Sequence, residues 1–290
     1  MSGLFNSKKE DLLIPNPRNF STRYKMLTQN TFIMGVENKP LEMETVSILQ
    51  INQRVIDDSI ETAVTVESVQ GSTANKELQD HLDTTLALSH ISKTLLFQRD
   101  SLGKFLYIKN KAKLKSDWEK WKNTEINKLF TGKKEKERFI INYEKGFEKI
   151  DHTISLSFQN AILIPALYGF KSYQHSTNSF SPQIINSKLI ADLVIKYEMF
   201  TTHTEINNVG QAKINLKSKL SNTDEMKTVL EQIYEASKEF SIKNYQFGIF
   251  SDYVLERETG KIVKSKFSLT EIIHDNLRYA LKINLEEISD

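Results

Sequence analysis

Residues 23–31 and residues 196–204 share one pattern, and an internal repeat constrains a fold more than any isolated motif. In each segment a cation precedes Tyr24 or Tyr197. A methionine, Met26 or Met199, comes two residues later. A large apolar residue and threonines close the segment. Tyr, Phe and Thr suit a pleated, half-buried surface. The residues downstream of each segment agree as well. Residues 61–69 (ETAVTVESV) and 211–217 (QAKINLK) alternate apolar with polar, as strands buried on one face do. Turn-forming clusters come next, Gly71-Ser72-Thr73 and Ser221-Asn222-Thr223, each opening a helical pattern. Leu78, Leu82, Leu86 and Ile91 mark the first helical face; Met226, Val229, Leu230, Ile233 and Phe240 mark the second. Asn222 with Glu225 resembles a capping box.

Each helix leads into a predicted hairpin. Residues 96–107 and 254–263 both read as an apolar strand, an arginine with an acid, a polar turn, Gly-Lys and a second apolar strand. Gly103 and Gly260 supply the positive φ that tight hairpins require. Residues 32–56 add a strand or hairpin to the first copy only. The last residues, Leu277 to Ile288, alternate as a final strand.

Between the copies the period changes. Leu114, Trp118, Trp121, Glu125 and Leu129 form one helical stripe, with Ile126 and Phe130 beside it. Ile140, Tyr143, Phe147 and Ile150 predict a second helix from Glu137, with Thr131-Gly132-Lys133-Lys134 as the turn. The apolar run from Ala161 to Phe170 is too short to span a membrane and contains Pro165, so it reads as core. The predicted class is α+β. The predicted divisions are an N-terminal extension (1–20), a first β-rich unit (21–111), a helical hairpin with its apolar connector (112–170), a polar loop (171–187) and a second β-rich unit (188–290).

Chemistry is bounded mostly by what is missing. The chain of 290 residues has no cysteine, which excludes disulfides, thiolate metal sites and cysteine nucleophiles. Its hydrophobic share of 39% and charged share of 26% are those of a globular protein. The formal net charge of +2 gives no overall bias toward nucleic acid or membranes. The first eleven residues place charge where a secretory leader needs an apolar run, so the expected location is the cytoplasm. Thr259-Gly260-Lys261 and Gly132-Lys133-Lys134 lack the earlier glycine and following hydroxyl of a phosphate loop. No Gly-x-Ser-x-Gly elbow is present.

The six histidines, His81, His90, His152, His175, His203 and His274, form no ligand array. Glu271 and His274 have the spacing of a di-iron helix motif, but no second copy exists, so they read as a surface or strand-end pair. Asp80-His81 and Asp151-His152 are sequence neighbours, which do not face each other. Asp57-Asp58 reads as a turn. No metal or nucleotide cofactor is expected.

Two features remain. Residues 104–138 hold twelve Lys/Arg against five acids, and Trp118 and Trp121 lie among them. Interleaved Trp and Lys could meet nucleic acid by stacking and phosphate contact. Sharing a stripe with Leu114 and Leu129, the tryptophans read instead as core, and nucleic acid is not expected. The order of strand, helix and glycine-turn hairpin is similar to half-barrel ligand carriers of bacterial envelopes, over about half the chain. The expected function is a non-enzymatic binding, adaptor or scaffold role through protein contacts. Lys115, Lys120, Lys122, Lys133 and Lys134 are the candidate partner-binding residues, suited to an acidic partner. The alternatives are a carrier of an apolar ligand held between sheet and helix, or an enzyme whose site assembles from distant residues. A large apolar cavity separates the carrier from the adaptor.

Overall fold

A computed structural model describes residues 12–14, 16–35, 39–89, 91, 93–130, 132–171, 180–190, 193–222, 224–226, 228–229 and 245–288. The fold is α+β and dominated by its sheet. After the short strand β1 (Leu12–Ile14) come β2 (Phe20–Met34), β3 (Pro40–Ile56) and β4 (Ser59–Thr73), then helix α1 (Lys76–Ser89). The hairpin β5 (Thr94–Asp100) and β6 (Phe105–Ile108) is next along the chain. Five helices succeed it: α2 (Lys111–Thr124), α3 (Ile126–Leu129), α4 (Lys133–Glu148), α5 (Ile150–Ser155) and α6 (Phe158–Leu163). The remaining strands are β7 (Phe170–Lys171), β8 (Phe180–Asn186), β9 (Val194–Ile206), β10 (Gln211–Leu220), β11 (Gln246–Glu256), β12 (Ile262–His274) and β13 (Leu277–Ile288).

Eleven strands make one antiparallel sheet in the order β6-β5-β4-β3-β2-β13-β12-β11-β10-β9-β8; β1 and β7 form a separate pair. The two ends of the chain meet at its centre, where β2 pairs with β13 from Leu277↔Met34 to Ile288↔Arg23. Alternation fixes which face is inside. Tyr24 and Met26 on β2, Ile214 and Leu216 on β10, and Tyr279, Leu281, Ile283 and Leu285 on β13 are buried in one hydrophobic core. Burying each such Leu or Ile fully contributes about 1.5–3 kcal/mol, so a one-residue register slip is strongly disfavoured.

Tyr24 and Tyr197 both lie buried on strands, but they do not occupy corresponding places. Two strands separate the strand of Tyr24 from α1. One separates the strand of Tyr197 from helical residues 224–226. Local geometry gives the reason. Just ahead of each helix an asparagine side chain accepts a strand amide: Asn75 Oδ1 from Glu42 N at 2.8 Å, and Asn222 Oδ1 from Lys196 N at 2.9 Å. Counted from these contacts, β9 answers to β3, not to β2. Asn222 thus engages β9, and its side chain also hydrogen-bonds that of Glu225 three residues on. Leu230, Ile233 and Phe240 lie outside the described residues.

The helical region keeps the expected stripes with shifted ends. The first helix breaks at Glu125 into α2 and α3, and α4 starts at Lys133, so Lys133 and Lys134 are helical rather than a turn; Thr131 lies outside the described residues. Trp118 and Trp121 are buried, with ring centroids 5.6 Å apart, and Tyr143 of α4 stacks on Trp118 at 4.2 Å. They are core, as their stripe predicts. The polar loop of 171–187 contains a strand, β8, at the sheet edge. An edge strand pairs on one side only and therefore accommodates Pro182. The N-terminal extension contributes core as well: Leu13 and Ile14 are fully buried.

Candidate functional site

The central site is a cavity built by curling the sheet. Strands β5 and β9 are eight steps apart in strand order, which in a flat sheet means roughly 38 Å. Yet Phe97 of β5 and Met199 of β9 line one cavity of about 710 Å³. Leu216, Ile249, Tyr253 and Phe267 continue the sheet-side wall; Leu156, Phe158 and Ile162 close the opposite side from α5 and α6. The apolar run predicted as core forms this closure: Ile162, Leu163, Ile164, Leu167 and Tyr168 are all buried.

The closure is fastened by hydrogen bonds. Arg99, only 2% exposed, has no carboxylate among its described hydrogen-bond partners. Its guanidinium donates to the carbonyls of Gly103 (2.8 Å), Ile164 (3.3 Å) and Pro165 (2.9 Å), to Gln53 Oε1 (3.1 Å) and to Thr62 Oγ1 (3.3 Å). Burial lowers its pKa to about 10, so it remains charged at neutral pH. Tyr168 completes the fastening. Gln53 donates to its hydroxyl at 2.7 Å, and its ring packs against the bare backbones of Gly103 and Gly260. A Cβ on Gly260 would sit 2.4 Å from that ring. On the far wall Tyr253 donates to the carbonyl of Ala161 at 3.2 Å, and burial pushes its hydroxyl pKa up.

Polar groups interrupt the apolar lining at several places. Asp100 and Lys104 come from the β5–β6 turn, and His152 and Ser155 from α5. Asp151 pins α5 in place: its Oδ1 accepts from Ile108 N at 2.9 Å, and its other oxygen pairs with Lys111. Asp151 is thus a clasp between helix and hairpin, and His152 is left exposed beside the cavity.

A second polar cluster escaped the sequence. Glu271 lies on a strand, not a helix, and is 1% exposed, while His274 at the strand end is exposed. The Glu271 carboxylate accepts from Ser187 Oγ, from Lys188 N at 2.8 Å and from Tyr245 Oη at 3.1 Å. It thereby caps the 187–190 turn. Its alternation with Phe267, Leu269 and Ile273 was the available signal for burial.

The basic residues are dispersed over α2 and α4. Lys115, Lys120, Lys133 and Lys134 are exposed. Lys122 is tied down, 2.8 Å from both Glu119 and Glu144. Hydrogen bonds to these two acids raise its pKa, and its own bond to Glu144 holds that carboxyl low. Among the described residues, no group of three His, Asp or Glu side chains is placed to hold a metal, and no helix is long and apolar enough to cross a membrane.

No family model matches the chain, and no curated protein matches it. Among solved structures it is similar to DynF from the dynemicin biosynthesis pathway of Micromonospora chersina, at 5% identity. That match covers 100% of this chain and 90% of the other, with a TM-score of 0.22. It is also similar to a domain described as an outer membrane lipoprotein-sorting protein from Vibrio parahaemolyticus. There the identity is 8%, the coverage 92% and 86%, and the TM-score 0.16. At these scores neither likeness bears on function.

Proposed function

We propose that the protein is a non-enzymatic carrier that holds an apolar ligand between its curled sheet and the α5–α6 closure. The observation that carries this reading is the cavity of about 710 Å³ with its largely apolar wall. Ligand sites are concave, mostly apolar and of this size, with a few placed polar groups. The reading takes the two halves of the chain as related units that both contribute to the sheet-side wall, Phe97 from the first and Met199, Leu216 and Phe267 from the second.

A neutral apolar fluorophore, N-phenyl-1-naphthylamine, tests it. It should bind at one per chain, and Leu216→Trp, which narrows the cavity from its sheet-side wall, should weaken binding while the sheet's circular dichroism persists. Saturable binding unaffected by Leu216→Trp would place the ligand elsewhere. A second reading, an adaptor contacting an acidic partner through the helical hairpin, draws support from the exposure of Lys115, Lys120, Lys133 and Lys134.

A further inference from the structure

We infer that the ligand carries an uncharged hydrogen-bonding oxygen, a hydroxyl or a ketone set within an apolar body, and that Ser251 receives it. This inference rests on the carrier reading. It starts from one side chain. Ser251 on β11 is 4% exposed and lines the cavity. Among the described residues, its hydroxyl meets no hydrogen-bond partner. Thr28, Thr201 and Ser265 also hold unpartnered hydroxyls, but those are sealed within the protein and do not line the cavity.

Elsewhere in the lining, polar side chains are engaged or open to solvent. Gln53 donates to Tyr168 Oη at 2.7 Å, Tyr253 donates to the carbonyl of Ala161 at 3.2 Å, and Asn160 Nδ2 donates to the carbonyl of Ile154 at 3.3 Å. Asp100 accepts from two backbone amides, and Lys104, His152 and Ser155 are exposed.

Strand register sets what surrounds Ser251. Leu216 and Phe267 are its direct partners on β10 and β12. Ile249 and Tyr253 are two residues away on the same face of β11. All four line the cavity. The hydroxyl therefore sits amid an apolar wall, with no charged side chain among these neighbours. A charged ligand group placed here would lose its water with nothing to pair it, a penalty far above that for a neutral oxygen. A hydrocarbon would displace the water that satisfies the hydroxyl and leave it bare, which costs affinity. A hydroxyl or ketone avoids both losses, because serine both donates and accepts.

Four compounds on one ring skeleton test this, each displacing N-phenyl-1-naphthylamine from the full chain: fluorene, 9-fluorenol, 9-fluorenone and fluorene-9-carboxylate. The alcohol and the ketone should each bind at least about threefold tighter than fluorene, one neutral hydrogen bond being worth roughly two- to twelvefold. The carboxylate should bind weakest. Ser251→Ala should erase the preference for oxygen. Because the hydroxyl has no protein partner, that variant should keep the unfolding midpoint of the parent chain. Ser251→Thr and Ser251→Val, alike in shape, should respectively keep and lose the preference, which separates the hydroxyl from volume. Three results overturn the inference but leave the carrier reading standing: fluorene binding as tightly as the alcohol and ketone, a preference that survives Ser251→Ala, or the carboxylate binding tightest. If the naphthylamine and all four compounds fail to bind, the carrier reading falls with it.

Discussion

The β5–β6 and β11–β12 hairpins are near twins in sequence and unequal in structure. Each turns on a glycine of positive φ, +86° at Gly103 and +73° at Gly260, and both glycines touch the ring of Tyr168. Each has an arginine that holds a carbonyl of another element. Arg99 is buried and fastens the closure after α6, whereas Arg257 is half-buried and donates to the carbonyl of Leu13 at 3.2 Å. The turn chemistry is local, so the two copies agree. The depth of each arginine depends on what the rest of the chain lays over it, so there they differ.

The largest expected effect is alkaline unfolding, and it falls unevenly on the two halves. Burial, the leading cause in each case, raises the pKa of Tyr24 in the first half, Tyr168 in the connector, and Tyr197, Tyr245, Tyr253 and Tyr279 in the second; for Tyr279 the value is about 12. The folded state keeps protons that the unfolded chain releases from about pH 10. Stability therefore falls as pH rises past 10, by about 1.4 kcal/mol per pH unit for each proton retained. Arg99, lowered from 12.5 to about 10, acts in the opposite sense over that interval but is one group against six. Tyrosine absorbance at 295 nm and sheet dichroism should change together above pH 10. Tyr24→Phe should leave most of the transition in place; tyrosines ionising near pH 10 in an intact sheet would contradict the burial argument.

Next in size is the contrast between the arginines. Arg99→Met strands the carbonyls of Gly103, Ile164 and Pro165 away from water, at a cost of about 3–5 kcal/mol. Arg257→Met should cost about 1 kcal/mol. Urea unfolding of both variants measures the difference, and equal losses would end the distinction between the hairpins.

The glycines come third. Gly103→Ala and Gly260→Ala each add a left-handed non-glycine residue and a clash, and should cost about 2–3 kcal/mol. Gly210, at φ +75° with nothing within 4 Å of its added Cβ, is the control; Gly210→Ala should cost only about 1 kcal/mol. Thermal denaturation of the three separates backbone strain from contact with Tyr168.

Legibility in the sequence depends on whether the cause is local. Strands β4, β10 and β13 announced themselves by alternation, the hairpins by Gly103 and Gly260, and the tryptophan core by its shared stripe with Leu114. Strand β8 did not, because its pairing with β9 overrides a composition that reads as loop. The cavity was illegible because it depends on the curl that brings Phe97 and Met199 to one space. Glu271 was obscured by its spacing to His274, although the alternation around it already placed it on the buried face.

The smallest expected effect concerns the candidate lysines, which the structure divides into two kinds. Lys115 and Lys133 are exposed, and reversing either to Glu should change stability by less than about 0.5 kcal/mol. Lys122 is 22% exposed at its side chain, pairs with Glu119 and Glu144, and lies 5.9 Å from the Trp118 ring. Lys122→Glu places three carboxylates together and should cost about 1 kcal/mol, near the upper end for surface pairs. The acid limb adds a check on its cause. Glu144 is held below its ordinary value, so its pairing contributes above the unfolded carboxylate pKa and fades as pH falls through the folded one. The Lys122→Glu penalty should therefore shrink below about pH 4, while Lys115→Glu and Lys133→Glu stay near zero throughout. A Lys122→Glu penalty that persists undiminished at acid pH would mean the lysine acts by packing its stem on Trp118 rather than by charge.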